Sequence, residues 1–167
     1  QSAYTGCRTA KEAMTNQISN PIFFEFVLDS ELLTHVNNTS LVVVDCTQHK
    51  AEAFIAKLAV HLVGMERSVS PNWGALSDYL VELDVVQAHS IVLAHKKMPE
   101  LENQDQSYYY IATVADAVST WSFGKNRGKR NIIPRFLKAD QQIVESYLLR
   151  WWKETTESPY FDPEKYS

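Results

Sequence analysis

The sequence predicts a mixed α/β fold, with a small, mainly parallel sheet of three or four strands flanked by helices. Residues 41–46 and 90–95 form continuous apolar runs, which are typical of strands covered on both faces. Segments with apolar residues at helical spacing follow both runs, and this alternation implies right-handed crossovers and a parallel sheet. The 167 residues, 45% of them hydrophobic, suffice for one ordinary core.

The first half of the chain predicts two strands and two helices. Aromatic and β-branched residues at 22–28 predict a strand, and Ser30 begins a short helix over 30–38. The apolar run at 41–46 predicts a strand at the centre of the sheet. Apolar residues at helical spacing over 47–63 predict an amphipathic helix.

The second half continues the alternation. A loop over 64–72, marked by Gly64 and Pro71, delivers a helix over 73–84. Because proline cannot donate to a ladder, Pro134 predicts that the last strand lies at the sheet edge. The remaining predicted elements are a strand at 90–95, a loop at 96–106, a helix at 108–123, a basic turn at 124–129, a strand at 131–137 and a helix at 140–153.

The domain organisation follows from these elements. We expect one domain over residues 1–137, with its core at 20–137, and a C-terminal helical extension over 138–167 packed on the same domain. The adjacent Trp151 and Trp152 of the extension would seal a face or edge of the sheet. A second contact surface is the alternative.

The composition favours a basic partner over nucleic acid. The formal net charge is −4, whereas a general nucleic-acid binder draws its affinity from basic side chains that meet phosphate. No run approaches the roughly 18 apolar residues of a membrane helix, so we expect no membrane partner. Cys7 and Cys46 could pair, but Cys46 closes an apolar run, which favours a buried thiol. We therefore expect a cytoplasmic protein.

The sequence contains few groups arranged for catalysis. Its histidines are scattered without partners at ligand spacing, and it has no nucleophile elbow, phosphate loop or dinucleotide fingerprint. The strongest enzyme hypothesis is a nucleophilic Cys46 at a strand end, with His49 three residues on. We favour the alternative, a small buried thiol that ends a strand. We expect no catalytic residue, no metal ligand and no cofactor.

The helix at 73–84 has two contrasting faces. At 100° per residue, Leu76, Tyr79, Leu80 and Leu83 share the inward face. The outward face combines carboxylates, exposed valines and a small glycine, which suits a surface that docks onto a positively charged pocket; a solvated face is the alternative. The outward residues are Gly74, Asp78, Val81, Glu82 and Val85.

The start of this helix resembles the signature of barstar-like proteins, which is Asn-Trp-Asp-Ala-Leu-x-Asp-x-Leu. The strand and helix before it, and the strand and helix after it, are similar to the family in order and approximate spacing over residues 20–137. The strand at 22–28 is similar to an extra N-terminal strand of larger members. The matching residues are Asn72-Trp73-Gly74-Ala75-Leu76-Ser77-Asp78-Tyr79-Leu80.

The resemblance implies a barstar-like three-layer fold and an inhibitor, not an enzyme. Members of this family bind over the active site of a ribonuclease and keep it harmless inside the bacterial cell that makes it. The implied partner is a cognate nuclease toxin with a basic active site, and the implied role is that of an immunity protein or antitoxin. Asn72 would belong to the presenting loop, and Asp78 would reach the catalytic arginines and histidine of the nuclease. The expected partner-binding residues are Asn72, Trp73, Gly74, Ser77, Asp78, Val81, Glu82 and Val85.

Two departures from the family pattern point to a different target. Gly74 stands where the family usually has an aspartate, which argues against a nuclease of the barnase type as the partner. Residues 68–70 replace the aromatic and glycine residues typical of the preceding loop. We hypothesise that Glu82, four residues after Asp78, restores a two-carboxylate face displaced along the helix.

A basic loop over 125–130 supports a second hypothesis, an RNA-binding or regulatory protein. Lys125, Arg127, Lys129 and Arg130 could contact phosphate groups. A solvated turn between a helix and a strand explains the same residues, and it is the interpretation that we favour.

Overall fold

The computed structural model describes residues 22–35, 37–63, 71–82, 89–123 and 127–166. The predicted mixed α/β class is confirmed, with a four-stranded, all-parallel sheet and a C-terminal helix. Single 3₁₀ turns also occur, and no helix in the described ranges combines the length and apolarity needed to pass through a membrane. The main elements are β1 (Glu25–Val27), β2 (Thr39–Val44), α1 (Ala51–Val63), α2 (Trp73–Glu82), β3 (Ser90–His95), α3 (Gln104–Ser122), β4 (Asn131–Leu137) and α4 (Gln141–Glu157).

The strand order, β1-β4-β3-β2, determines which face of the sheet each connection covers. From β2 to β3 and from β3 to β4 the chain steps in one direction across the sheet, and α1, α2 and α3 lie in these two connections. Right-handed crossovers that step in the same direction lie on the same face. The step from β1 to β2 runs the opposite way, so its connection covers the opposite face.

The core follows this division into three layers. Val44, Leu93 and Phe136 belong to one cluster with buried residues of all four helices. Val92 and Ala94 alternate with these residues, face the other side and pack in a smaller cluster with Leu32 of the β1–β2 connection. The layers are therefore the helices, the sheet and this connection.

Two predictions about strand position are wrong. The strand predicted at the centre of the sheet, β2, lies at its edge, and β4 lies inside, between β1 and β3. Pro134 lies opposite Leu93 of β3, and β1 pairs with β4 only from the next residue, Arg135. No pair with β1 is therefore lost at the proline.

The prediction of a helix over 30–38 is also wrong, because the described residues of this segment form a single 3₁₀ turn, Asp29–Glu31, and no α-helix. The buried Arg135 explains the difference. Its Nη1 donates to the backbone carbonyls of Leu32 (3.2 Å) and Thr34 (3.0 Å), which a longer helix would need for its own hydrogen bonds. Its Nε donates to Glu25 at 2.7 Å, so one side chain ties β1, β4 and the connection together.

The C-terminal helix α4 lies against α3 through polar contacts. The Tyr108 hydroxyl donates to Glu154 at 2.5 Å, and the guanidinium of Arg150 lies 3.8 Å from the centroid of the Tyr108 ring. The indole N–H of Trp151 donates to Asp116 at 2.9 Å, and burial raises the pKa of this carboxyl group. These contacts fix the C-terminal segment on the helical layer.

Candidate functional site

Asn72 fixes the start of α2. Its side-chain Oδ1 accepts the N–H of Ala75 at 2.9 Å, and its backbone carbonyl accepts the N–H of Leu76 at 3.1 Å. Both bonds satisfy groups at the first turn, which is the role of an N-cap residue. The residue that the sequence places in a presenting loop therefore also determines where the helix begins.

The inward face of α2 is largely as predicted. Leu76 and Leu80 are fully buried, and Tyr79 is half-buried against the same core cluster. The carbonyl of Leu80 also accepts the indole N–H of Trp121 in α3 at 3.3 Å. The predicted Leu83 lies outside the described residues.

Trp73 anchors α2 to α3. Its indole N–H donates to Oε1 of Gln106 at 2.7 Å, and its ring centroid lies 6.3 Å from that of Tyr110. The side chain is half-buried and packs against the core cluster. Gln106 and Tyr110, which the sequence did not single out, thus support the first turn of α2. The available signal was that a packed tryptophan usually donates its indole N–H to a polar side chain.

The outward face of α2 is narrower than predicted. Gly74 and Asp78 are exposed, whereas Ser77 is half-buried. Val81 is half-buried against the core cluster, so the prediction that it is an exposed valine is wrong. The cause is that α2 packs between α1 and α3, so two neighbours cover its sides.

Of the two remaining residues of the predicted face, one is described only by its backbone and the other lies outside the described residues. Glu82 is the last residue of α2, and only its backbone position is described. Val85 lies outside the described residues. The described outward face therefore consists of Gly74 and Asp78, one helical turn apart, with Ser77 at its margin.

The structure does not require glycine at position 74. The residue lies in regular helix, and among the described residues a Cβ atom there would meet only the Oδ1 of Asn72, at 3.4 Å, which is ordinary van der Waals distance. Glycine in a helix costs roughly 0.5–1 kcal/mol relative to alanine. Among the described residues no contact of Gly74 offsets this cost, and the glycine leaves open space on the surface one helical turn before Asp78.

Asp78 presents a carboxylate to solvent. Within the described part of the chain, its side chain makes no hydrogen bond or ion pair. An exposed carboxylate on a helix surface is accessible to an external cation. The site can therefore bind a basic group.

The proposed nucleophile, Cys46, lies at the carboxyl end of β2 in a different environment. Its thiol donates to the carbonyl of Lys97 at 2.6 Å, and burial raises its pKa to about 11. His49 Nδ1 lies 3.3 Å from the carbonyl of Glu100, so among the described hydrogen bonds the two side chains do not form a nucleophile–base pair. Cys46 is a free, half-buried thiol, and its possible partner Cys7 lies outside the described residues.

Other candidate sites are limited. Across the described ranges, no group of three or more histidine, cysteine, aspartate or glutamate side chains could hold a metal ion. In the basic loop, residues 125 and 126 lie outside the described residues, and Arg127 and Lys129 are exposed on a turn. Gly128 in that turn has φ 74°, a conformation that favours glycine.

Comparison of the chain with models of known protein families, with curated proteins and with solved structures gives no match in any of the three.

Proposed function

We propose that this protein is an inhibitor that binds over the active site of a cognate nuclease through the exposed face of α2, as an immunity protein or antitoxin in the cytoplasm of the cell that makes it. The observation that carries the proposal is the position of Asp78. It is an exposed carboxylate at the helix position where the barstar-like signature has its contact residue. Gly74, one turn earlier, is exposed on the same face.

The chemistry of a nuclease site explains why a carboxylate would bind there. Such a site holds phosphate with arginine, lysine and histidine side chains, and a carboxylate of the inhibitor meets the same cations in a desolvated contact. The net charge of −4 adds a long-range attraction that speeds the encounter with a basic partner.

The rigidity of α2 supports the same proposal. Asn72 fixes the first turn of the helix, and Trp73 ties that turn to Gln106 in α3. A contact residue on an element held in this way loses little conformational freedom on binding, which favours affinity. The backbone of α2 at Asp78 is therefore held in one position relative to the sheet.

Gly74 narrows the class of partner. A partner group can approach the backbone of α2 closely at this position, where the family pattern instead supplies a second carboxylate. We propose a nuclease whose surface fills this space with a side chain, in preference to a nuclease of the barnase type, which would meet a carboxylate here.

The decisive experiment looks for a nuclease gene beside the gene for this chain and uses the protein that it encodes. Co-expression is expected to rescue cells from that nuclease, and titration calorimetry is expected to show tight binding that Asp78→Ala weakens by more than about 2 kcal/mol, the threshold for a dominant contact residue. Glu52→Ala is the matched control, since Glu52 is an exposed carboxylate on α1. Less than a tenfold change for Asp78→Ala would contradict the role of Asp78, and failure of rescue would contradict the function.

The basic loop supports a second candidate function, binding of RNA. Arg127 and Lys129 are exposed on the turn before β4, where they could meet phosphate. Binding of the purified chain to generic RNA, lost on adding salt and on replacing both residues with alanine, would favour this function over the inhibitor.

A further inference from the structure

A second surface lies at the other end of the sheet, in a groove between β1 and α4. The groove has a volume of about 600 Å³. Its floor and walls are mainly apolar, with Phe26 and Leu148 among them. None of the residues that line the groove belongs to α2, so this surface is separate from the proposed nuclease site.

Two large apolar side chains at the groove are exposed to an unusual degree. Phe23 is 77% exposed and Leu149 is 65% exposed, and both line the groove. Isolated apolar residues are common on protein surfaces, whereas apolar residues grouped around a concave surface mark an interaction site. Phe23 and Leu149 therefore mark a surface that a binding partner would bury.

The edge of β1 adds backbone groups to the same surface. In the described part of the chain β1 pairs with β4 alone, so one row of its N–H and C=O groups has no strand beside it. A strand edge that no described strand pairs with, next to an apolar groove, favours the addition of another strand, whose side chains would enter the groove.

The charges of the groove are complementary to one another. Lys138 and Glu145 both line it and both are exposed. Neither forms an ion pair within the ranges that the structure describes; Glu145 accepts one hydrogen bond, from Gln141 at 2.8 Å. In a two-fold arrangement, a residue of one copy meets a different residue of the other, so each Lys138 can approach a Glu145.

We propose that the groove binds a second copy of this chain. The β1 strands of the two copies pair antiparallel across a two-fold axis, and Phe23 of each copy enters the groove of the other. The surface around the groove is complementary to itself, since it has a projecting aromatic side chain and a cavity to receive one, and a cation and an anion that can pair. A symmetric dimer needs such a self-complementary surface.

The first test measures the mass of the full chain over a range of concentrations by sedimentation equilibrium. We expect a reversible monomer–dimer equilibrium. Leu149→Glu places a charge in the contact and is expected to raise the dissociation constant about tenfold or more, because a charge at the core of an interface is desolvated. Ile143→Glu is the matched control, since Ile143 is 41% exposed on the same helix and does not line the groove.

A second test exchanges the two charges. Lys138→Glu and Glu145→Lys are each expected to weaken the dimer, and the double variant is expected to restore it, because the pair is regained across the axis. A chain that stays monomeric at every concentration would overturn the proposal. The groove would then have a different occupant, such as residues 1–21 of the same chain or another protein. A dimer that Leu149→Glu leaves intact, or that Ile143→Glu weakens equally, would overturn it as well.

Discussion

The side chains of His95 and Tyr110 meet inside the protein, with His95 Nε2 2.6 Å from the Tyr110 hydroxyl oxygen. The other ring nitrogen, Nδ1, lies 2.9 Å from the carbonyl of Arg135, which can only accept. Nδ1 therefore carries the hydrogen of a neutral ring, and the Tyr110 hydroxyl donates to Nε2. Both side chains are fully buried, and His95 stacks on Phe136 with ring centroids 3.8 Å apart.

This relationship predicts the effect of Tyr110→Phe. Removal of the hydroxyl leaves Nε2 of His95 buried without a donor, and an unsatisfied buried group costs about 1–3 kcal/mol. We expect the free energy of unfolding in urea to fall by this amount with an unchanged dependence on urea concentration. The phenylalanine ring keeps the packing against Phe54, 4.9 Å away.

The neighbouring residue supplies the control. Tyr109 is 43% exposed on the same helix, so Tyr109→Phe is expected to change the free energy of unfolding by less than about 0.5 kcal/mol. Equal losses for the two variants would mean that the hydrogen bond to His95 contributes nothing.

The burial of His95 predicts that stability depends on pH. Burial lowers the pKa of His95 from 6.5 to about 4, because the charged ring is separated from water. As the pH falls from 6.5 toward 4, the unfolded chain takes up the proton that the native chain refuses, so stability decreases. The loss from this group is on the order of 3 kcal/mol and is complete below pH 4, where both states are protonated.

Two measurements test this pH dependence. Urea unfolding over this range should give a free energy that decreases with falling pH, and NMR of the imidazole ring should show His95 neutral down to about pH 4. Titration of His95 near 6.5 in the native protein would contradict its burial.

Most helices and strands could be predicted because periodicity reports burial. Apolar spacing predicts helices at 47–63, 73–84, 108–123 and 140–153, and the structure has a helix in each segment, with its described ends within a few residues of the predicted ones. The order of the strands is not encoded in this way. A strand at the edge, such as β2, resembles a central one in sequence when residues of both faces pack against a core, as the buried Val44 does on one face and the half-buried Leu41 on the other.

The prediction for the β1–β2 connection was wrong for a different reason. The conformation of this connection depends on Arg135, about a hundred residues later, whose guanidinium donates to the carbonyls of Leu32 and Thr34. Local propensity cannot anticipate a partner so distant in sequence.

The candidate site was predicted in part. The 100° rule placed Gly74 and Asp78 outward, as the structure has them, because they point away from both neighbours of α2. The rule placed Val81 outward too, but a helix held between two others buries a wider arc than one resting on a sheet. The groove at β1 was not foreseen, since it forms between segments that are separated by more than a hundred residues.

The state of Cys46 predicts low reactivity. With a pKa of about 11, roughly one thiol in ten thousand is ionised at pH 7, and the thiolate is the form that reacts. We expect iodoacetamide to modify Cys46 about a hundredfold more slowly in the native protein than in the chain unfolded by urea. Mass spectrometry resolves the site of modification. Rapid native modification would revive the enzyme hypothesis built on Cys46 and His49.

The last prediction concerns Gly74→Asp, which tests partner choice without loss of the fold. The helix has room for the side chain, and an acidic residue in the first turn interacts favourably with the helix dipole, so stability should stay equal or rise by up to about 1 kcal/mol. Under the proposed function, calorimetry should show tighter binding to a nuclease of the barnase type and weaker binding to the cognate nuclease, since the carboxylate fills the space left at Gly74.

Gly74→Ala separates the effect of added volume on partner choice from the effect of added charge, because it adds a Cβ atom and no charge. It should raise stability by roughly 1 kcal/mol, as expected for alanine in place of glycine in a helix. If it weakens binding to the cognate nuclease about tenfold, the partner approaches the backbone at Gly74, and the glycine is kept for binding at the expense of stability. If binding is unchanged, the space beside Asp78 is not part of the contact, and the specificity argument from Gly74 fails while that from Asp78 stands.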